Sequence, residues 1–171
     1  MNNIEINDRG FIALNDKVMV SDPCYGMNTW CQGVIDNVLK GNYKCTVETS
    51  DEGTWGRRVS AIQVIHADYM KKSLEYSKAN FYVGVDSGQA GMFDYEKHKS
   101  DFFEAHEEYM NSDKSYLYLT TSDGNTIDGL GFASSSGYGD GSYYCWVAHN
   151  DEGKIVAIRV EYITEDDEEE M

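Results

Sequence analysis

Three short stretches of the chain are rich in aspartate, serine or glycine, a composition typical of loops that hold a ligand close to the backbone. They are residues 21–25, 86–91 and 134–141. Each directly follows or precedes a run that predicts a β-strand, and glycine permits backbone angles there that other residues adopt only at a cost. The loop residues that we expect to contact a ligand are Asp22, Tyr25, Asp86, Ser87, Gln89, Tyr138 and Asp140.

Arg57 and Arg58 are the only two adjacent arginines in the chain, and they follow Trp55 and Gly56. A guanidinium group can hold an anionic group through two parallel hydrogen bonds, so this pair is the best clamp available for one. Trp55 and the other aromatic residues near the glycine loops could stack on a planar ligand. The same aromatic residues would also fit a core or cross-strand pairs, and both interpretations stay open.

Metal-binding and nucleophilic chemistry lack a matching motif. The spacings of Cys24 with Cys31, and of Cys145 with His149, differ from the short paired spacing of a structural zinc site. The aspartates beside the glycine loops form no calcium-binding loop, and ordinary Asx turns account for them. No serine stands in a Gly-x-Ser-x-Gly turn. We therefore predict no catalytic residue, no metal and no cofactor, and a metal-dependent hydrolase is the least favoured hypothesis.

The alternation of apolar and polar residues predicts a mostly β fold. Within residues 43–49, Tyr43, Cys45 and Val47 alternate with polar side chains, which indicates one buried and one solvated face. Residues 59–66 carry apolar side chains on both faces and are expected at the centre of a sheet. Short turns predict three hairpins, formed by 11–14 with 17–20, 33–38 with 43–49, and 143–148 with 155–162.

Two segments have the periodicity of a helix. The main one begins at Asp94, a common N-cap residue, and runs to residue 111, and a weaker one covers residues 69–77. We predict an α+β, mostly β fold: an antiparallel β-sandwich or a strongly twisted sheet, with one main helix (94–111) packed on it. Residues 1–163 are expected to form a single globular domain, and residues 164–171 a disordered acidic tail.

The charge of the chain restricts its partners. The formal net charge is -16, from 30 acidic and 14 basic residues. Such a chain is repelled by nucleic acids and anionic membranes, so we expect neither as a direct partner. The polar start and the lack of a membrane-length apolar run lead us to expect no leader, a cytoplasmic location and reduced cysteines. Exposed strand edges would permit a homo-oligomer.

Four motifs occur in order along the chain: VMVSDPCY at 18–25, TWC at 29–31, SDEGTWG at 50–56 and GVDSGQAG at 84–91. With the ending GYGDG at 137–141 and the hairpin after it, they resemble a group of small proteins of tailed phages and bacteria related to the domain-of-unknown-function family 4241. The resemblance spans most of residues 11–162. It implies a phage or bacterial accessory protein, and it implies no known reaction.

Two functional hypotheses follow. In the first, the protein captures a small cytoplasmic ligand, a nucleotide-type signal, between its aromatic and glycine-rich loops, in a counter-defence role in the host cytoplasm. In the alternative, its acidic surface inhibits a host protein by occupying a basic or nucleic-acid-binding site. The first hypothesis requires Arg57 and Arg58 to lie near the other loops, because an acidic chain must concentrate its few cations where an anion binds.

Overall fold

The computed structural model describes residues 3–22, 33–85, 88–97, 125–127 and 131–164. Three residues of the predicted site, Tyr25, Asp86 and Ser87, lie outside these ranges. Within them the chain is mostly β-strand, as predicted. The strands are β1 Ile4–Leu14, β2 Val18–Ser21, β3 Gly33–Ile35, β4 Gly41–Asp51, β5 Arg57–His66, β6 Tyr76–Val85, β7 Gln89–Asp94, β8 Asn125–Ile127, β9 Gly131–Ser135, β10 Gly141–His149 and β11 Ile155–Glu161.

The strands form two antiparallel sheets. The six-stranded sheet has the order β1-β4-β5-β11-β10-β6, and the five-stranded sheet has the order β3-β2-β7-β9-β8. The strand predicted to be central, residues 59–66, is β5, which lies between β4 and β11. The predicted hairpin near the carboxyl terminus is also confirmed, because β10 pairs with β11.

One apolar core lies between the two sheets. Ile62 and Ile158 of the six-stranded sheet belong to the same buried cluster as Val20, Met92 and Phe132 of the five-stranded sheet. The alternating burial of β4 is the predicted one, with the odd positions from 43 to 47 buried and the even ones partly exposed. β4 therefore turns one face inward, as expected when apolar residues recur with the period of a strand, whereas β2 and β7 of the five-stranded sheet are buried at every position.

The other two predicted hairpins are wrong. In the first, β1 belongs to the six-stranded sheet and β2 to the five-stranded sheet. In the second, β3 belongs to the five-stranded sheet and β4 to the six-stranded sheet. After β1 the chain turns at Asn15, whose backbone N–H donates to Oδ1 of Asp94 at 2.8 Å. The connections from β1 to β2 and from β3 to β4 therefore lead from one sheet to the other. In both cases the two consecutive strands pair with other strands of the chain and not with each other.

The helix predictions fare less well than the strand predictions. The weaker helix, residues 69–77, is wrong: a 3-10 helix at Ala67–Tyr69 is followed by a turn, and β6 already begins at Tyr76. The main helix is not supported: of positions 94–111 the described residues include only 94–97, where Tyr95–Lys97 forms a single α-helical turn. Positions 98–111 lie outside the described residues, as does the predicted acidic tail beyond Thr164.

Candidate functional site

One end of the sandwich brings together the described parts of the segments that the sequence singled out. In the six-stranded sheet β4 and β6 end there, and β5 and β10 begin there; in the five-stranded sheet β9 ends and β7 begins. The N–H of Ser136 donates to the carbonyl oxygen of Gly88 at 2.9 Å, which joins the turn after β9 to the start of β7. The cross-strand pairs nearest this end include Ser50 with Arg58, Val85 with Gly141, and Gln89 with Ser135.

Four residues at this end form a connected group, which we call the Tyr138 cluster: Glu52, Trp55, Arg58 and Tyr138. The Tyr138 hydroxyl donates to Oε1 of Glu52 at 2.7 Å. The Arg58 guanidinium carbon lies 5.5 Å from the centre of the Tyr138 ring, and the Trp55 ring meets the Tyr138 ring edge-on at 6.5 Å. The cluster therefore joins the β9–β10 turn to the β4–β5 loop and places two aromatic rings beside one guanidinium.

The β4–β5 loop places Trp55 on the surface. Gly53 and Gly56 have φ angles of 66° and 80°, which a residue with a side chain rarely adopts. The N–H of Glu52 donates to the Gly56 carbonyl oxygen at 2.8 Å, which closes the loop around a short 3-10 helix, Gly53–Trp55. Trp55 stays 59 % exposed, whereas core aromatic residues of this protein are fully buried.

Glu52 is a buried carboxylate that holds the cluster in position. It is only 8 % exposed and accepts hydrogen bonds from the Ser50 hydroxyl at 2.8 Å and from Tyr138. Its neighbour Asp51 is exposed. Sequence reasoning missed both Ser50 and Glu52. The SDEGTWG motif contains them, but no local signal indicates which of its two acids turns inward.

The two adjacent arginines separate. Arg58 donates from Nε to the Trp55 carbonyl oxygen at 3.1 Å and stacks on Tyr138. Arg57 instead donates to the Thr49 carbonyl and hydroxyl oxygens at 3.2 and 3.1 Å, and it lies 3.8 Å from a Glu5 carboxylate oxygen. The structure therefore brings together Trp55, Arg58 and Tyr138 from the predicted set, while Arg57 is occupied by strand neighbours.

The remaining described residues of the predicted set, Asp22, Gln89 and Asp140, lie near the same end. Asp22 follows β2 and is fully buried, and Asp140 is exposed in the turn before β10. Gln89 is 1 % exposed, and neither its amide nitrogen nor its amide oxygen has a hydrogen-bond partner within the part of the chain that the structure describes. An open depression of about 330 Å³ beside Glu52 is lined by Asn3, Asp51, Glu52 and Gly53.

The described residues offer little for metal or thiol chemistry. They contain no group of three or more His, Cys, Asp or Glu side chains placed to hold a metal ion. Burial raises the pKa of the Cys45 and Cys145 thiols to about 12 each, and both are weak nucleophiles as a result. In the same described ranges, no helix has the length and apolar character needed to cross a membrane.

Comparison with known proteins gives one relationship. No curated protein and no solved structure matches the chain. The model of one protein family, described as protein of unknown function (DUF4241), matches residues 14–160, which is most of the chain. The matched region includes all four residues of the Tyr138 cluster and the strands from β2 to β10, whereas β1 lies almost entirely before it. The protein therefore belongs to the DUF4241 family.

Proposed function

We propose that the protein binds a small, planar, anionic ligand of the nucleotide type at the Tyr138 cluster. The position of the Arg58 guanidinium is the main observation that supports this proposal. This guanidinium stacks on Tyr138, and apart from the Nε hydrogen bond its N–H groups have no acceptor among the described residues. In the proposed complex a base stacks on Trp55, and a phosphate accepts hydrogen bonds from Arg58.

The cluster is organised before a ligand arrives. Glu52 fixes the Tyr138 hydroxyl, and the Trp55 carbonyl fixes the Arg58 side chain through Nε. Groups that are already ordered lose little conformational entropy when a ligand binds, so even a small contact area can give useful affinity. The acidic depression beside Glu52 would direct the anionic part of a ligand away from itself and toward Arg58.

The net charge of -16 favours a compact ligand over a nucleic acid. A polyanion must approach a large part of the acidic surface, whereas a mononucleotide or cyclic dinucleotide needs only one cationic position. In the biological context that we propose, the protein sequesters a nucleotide-type signal in a bacterial cytoplasm, which would serve a counter-defence role if the protein is made by a phage.

Arg57 provides a matched control for testing Arg58. We would measure binding of a panel of nucleotides, including AMP, ADP-ribose and cyclic dinucleotides, by isothermal titration calorimetry for the wild type, R58Q and R57Q. A charge-assisted hydrogen bond contributes roughly 1.5–3 kcal/mol, so R58Q should weaken binding by about 10- to 100-fold. R57Q removes the same charge and should leave the affinity within about twofold, because Arg57 is held by Thr49.

A second variant separates stacking from charge. Trp55→Ala should weaken binding by roughly 1–3 kcal/mol, the usual contribution of a base stacked on an aromatic ring. Since Trp55 is exposed, its removal should leave the melting temperature nearly unchanged. The proposal fails if no nucleotide of the panel binds the wild type, or if R57Q and R58Q weaken binding equally.

A further inference from the structure

A second cavity lies near the opposite end of the sandwich from the Tyr138 cluster. It has a volume of about 210 Å³ and is lined by Tyr69 and residues 72–74 on one side and by residues 149–152 on the other. The first wall follows β5, and the second is the turn between β10 and β11. This volume corresponds to roughly seven molecules of liquid water, which is the size range of a small metabolite.

Hydrogen bonds hold both walls in place. Oδ1 of Asn150 accepts from the backbone N–H groups of Glu152 at 3.0 Å and Lys154 at 2.9 Å, which fixes the β10–β11 turn. The Asn150 side-chain nitrogen donates to the Tyr69 hydroxyl at 3.0 Å and thereby connects the two walls. On the other wall, the backbone N–H of Lys72 donates to the Tyr69 carbonyl oxygen at 3.1 Å. The cavity is thus built on ordered turns.

Charges of both signs line this cavity without neutralising one another. Lys72 contributes an ammonium group, which lies 5.2 Å from the centre of the Tyr69 ring, and Asp151 and Glu152 contribute carboxylates; all three side chains are exposed. None of the three takes part in an ion pair among the described residues. Ser73 and His149 add a hydroxyl and an imidazole to the lining. A ligand that carries one charge of each sign would complement these groups better than a simple anion or cation.

We propose that this cavity binds a free α-amino acid or a closely similar small zwitterion. The carboxylate of the ligand would face the Lys72 ammonium and the Ser73 hydroxyl, and its ammonium group would face the carboxylates of Asp151 and Glu152. The volume leaves room for a small side chain, and the Tyr69 ring, which the Lys72 ammonium already contacts, belongs to the same lining. This site is independent of the Tyr138 cluster.

The test uses the full-length protein and the 20 proteinogenic amino acids, each added singly and measured by isothermal titration calorimetry. We expect at least one to bind with a dissociation constant below about 10 mM. Its N-acetyl derivative and its amide, each of which lacks one of the two charges, should bind at least about tenfold more weakly. If no amino acid binds, or if both derivatives bind as well as the parent, the proposal is overturned.

Variants then place the binding site. K72Q and the double variant D151N/E152Q should each weaken binding by about tenfold or more. K71Q is the matched control, because Lys71 is exposed next to Lys72 and does not line the cavity. R58Q should also leave amino-acid binding unchanged, whatever it does to nucleotide binding. If K71Q and K72Q weakened amino-acid binding equally, the loss of affinity would be a general effect of charge, and the proposed site would be wrong.

Discussion

At the scale of the residue, Arg57 and Arg58 show how strand geometry assigns different contacts to identical side chains. Successive residues of a strand point to opposite faces, so two neighbouring guanidinium groups cannot clamp one small anion from within a strand. Arg57 donates hydrogen bonds to the carbonyl and hydroxyl oxygens of Thr49. Arg58 is left to stack on Tyr138. The single charge at Arg58 must therefore supply the anion contact in the proposed site.

Two buried cysteines make the stability of the protein dependent on alkaline pH. Burial raises the pKa of Cys45 and of Cys145 to about 12, whereas an unfolded thiol titrates near 8.5. Between these values the unfolded chain loses protons that the folded protein retains, so the free energy of unfolding must fall as the pH rises. The loss is on the order of 1.4 kcal/mol per pH unit for each thiol, as an upper bound.

Urea unfolding at pH 7.5, 9 and 10.5 measures this dependence. The double variant C45A/C145A is the control, since it removes both titrations and should show a shallower decline over the same range. Tyr76, whose pKa burial raises to about 12, contributes in both proteins and cancels in the comparison. Identical pH profiles for the two proteins would contradict the prediction.

At the scale of the element, periodicity predicted which face of a strand is buried but not which strand is its neighbour. The alternation at Tyr43, Cys45 and Val47 is local information, and the burial of β4 follows it. Pairing is a non-local choice. A short turn after Leu14 resembles a hairpin, yet β1 pairs with β4 along nearly its whole length and leaves β2 to the other sheet.

For the candidate site, too, the sequence predicted individual residues but not the contacts between them. Trp55 and Tyr138 were found from the aromatic residues near glycine, and Arg58 from its adjacency to Arg57, which are local properties. Their meeting depends on the order of strands in two sheets, and the buried role of Glu52 depends on a hydroxyl 86 residues away in the chain. Such contacts leave no spacing pattern in a single sequence, so they could not have been derived from it.

Contact between β3 and β6 provides a test of how the two sheets meet. A Cβ atom added at Gly33 would fall on the ring of Phe81, and Gly33 has no positive φ that would strain alanine. Gly33→Ala should therefore destabilise the protein through overpacking, by about 1–3 kcal/mol. Phe81→Ala alone should also destabilise it, because Phe81 packs against the core.

A double-mutant cycle isolates the steric term. In G33A/F81A the added methyl group no longer meets a ring, so the double variant should be more stable than the sum of the single effects implies, by at least about 1 kcal/mol. Chemical denaturation of the four proteins supplies the numbers. Strict additivity would mean that the two positions are not in contact in solution.

At the scale of the whole molecule, the acidic charge and the fold act on different properties. The net charge of -16 favours solubility, and its acidic groups repel one another. The apolar core between the sheets stabilises the folded chain. The two candidate ligand sites lie near opposite ends of this core, on loops and turns that the strands position. Ligand binding at one end can therefore be measured with variants at the other as controls.

Because residues of both sheets share one core, we expect them to unfold together. Phe132 of the five-stranded sheet and Ile158 of the six-stranded sheet are both fully buried in it. Phe132→Ala should lower the free energy of unfolding by about 3–5 kcal/mol, and Ile158→Ala by about 2–5 kcal/mol. Since the core is common, each substitution should reduce the stability of both sheets by the same amount.

Native-state hydrogen exchange with peptide-level mass spectrometry distinguishes the two sheets directly. In F132A, protection should fall equally in peptides from β2 and β7 and in peptides from β5 and β11. Ile6→Ala, at a position that is 68 % exposed on β1, is the control and should change stability by no more than about 0.5 kcal/mol. A loss of protection in F132A confined to the five-stranded sheet would mean that the sheets are separate folding units and that the shared core does not couple the two ends of the molecule.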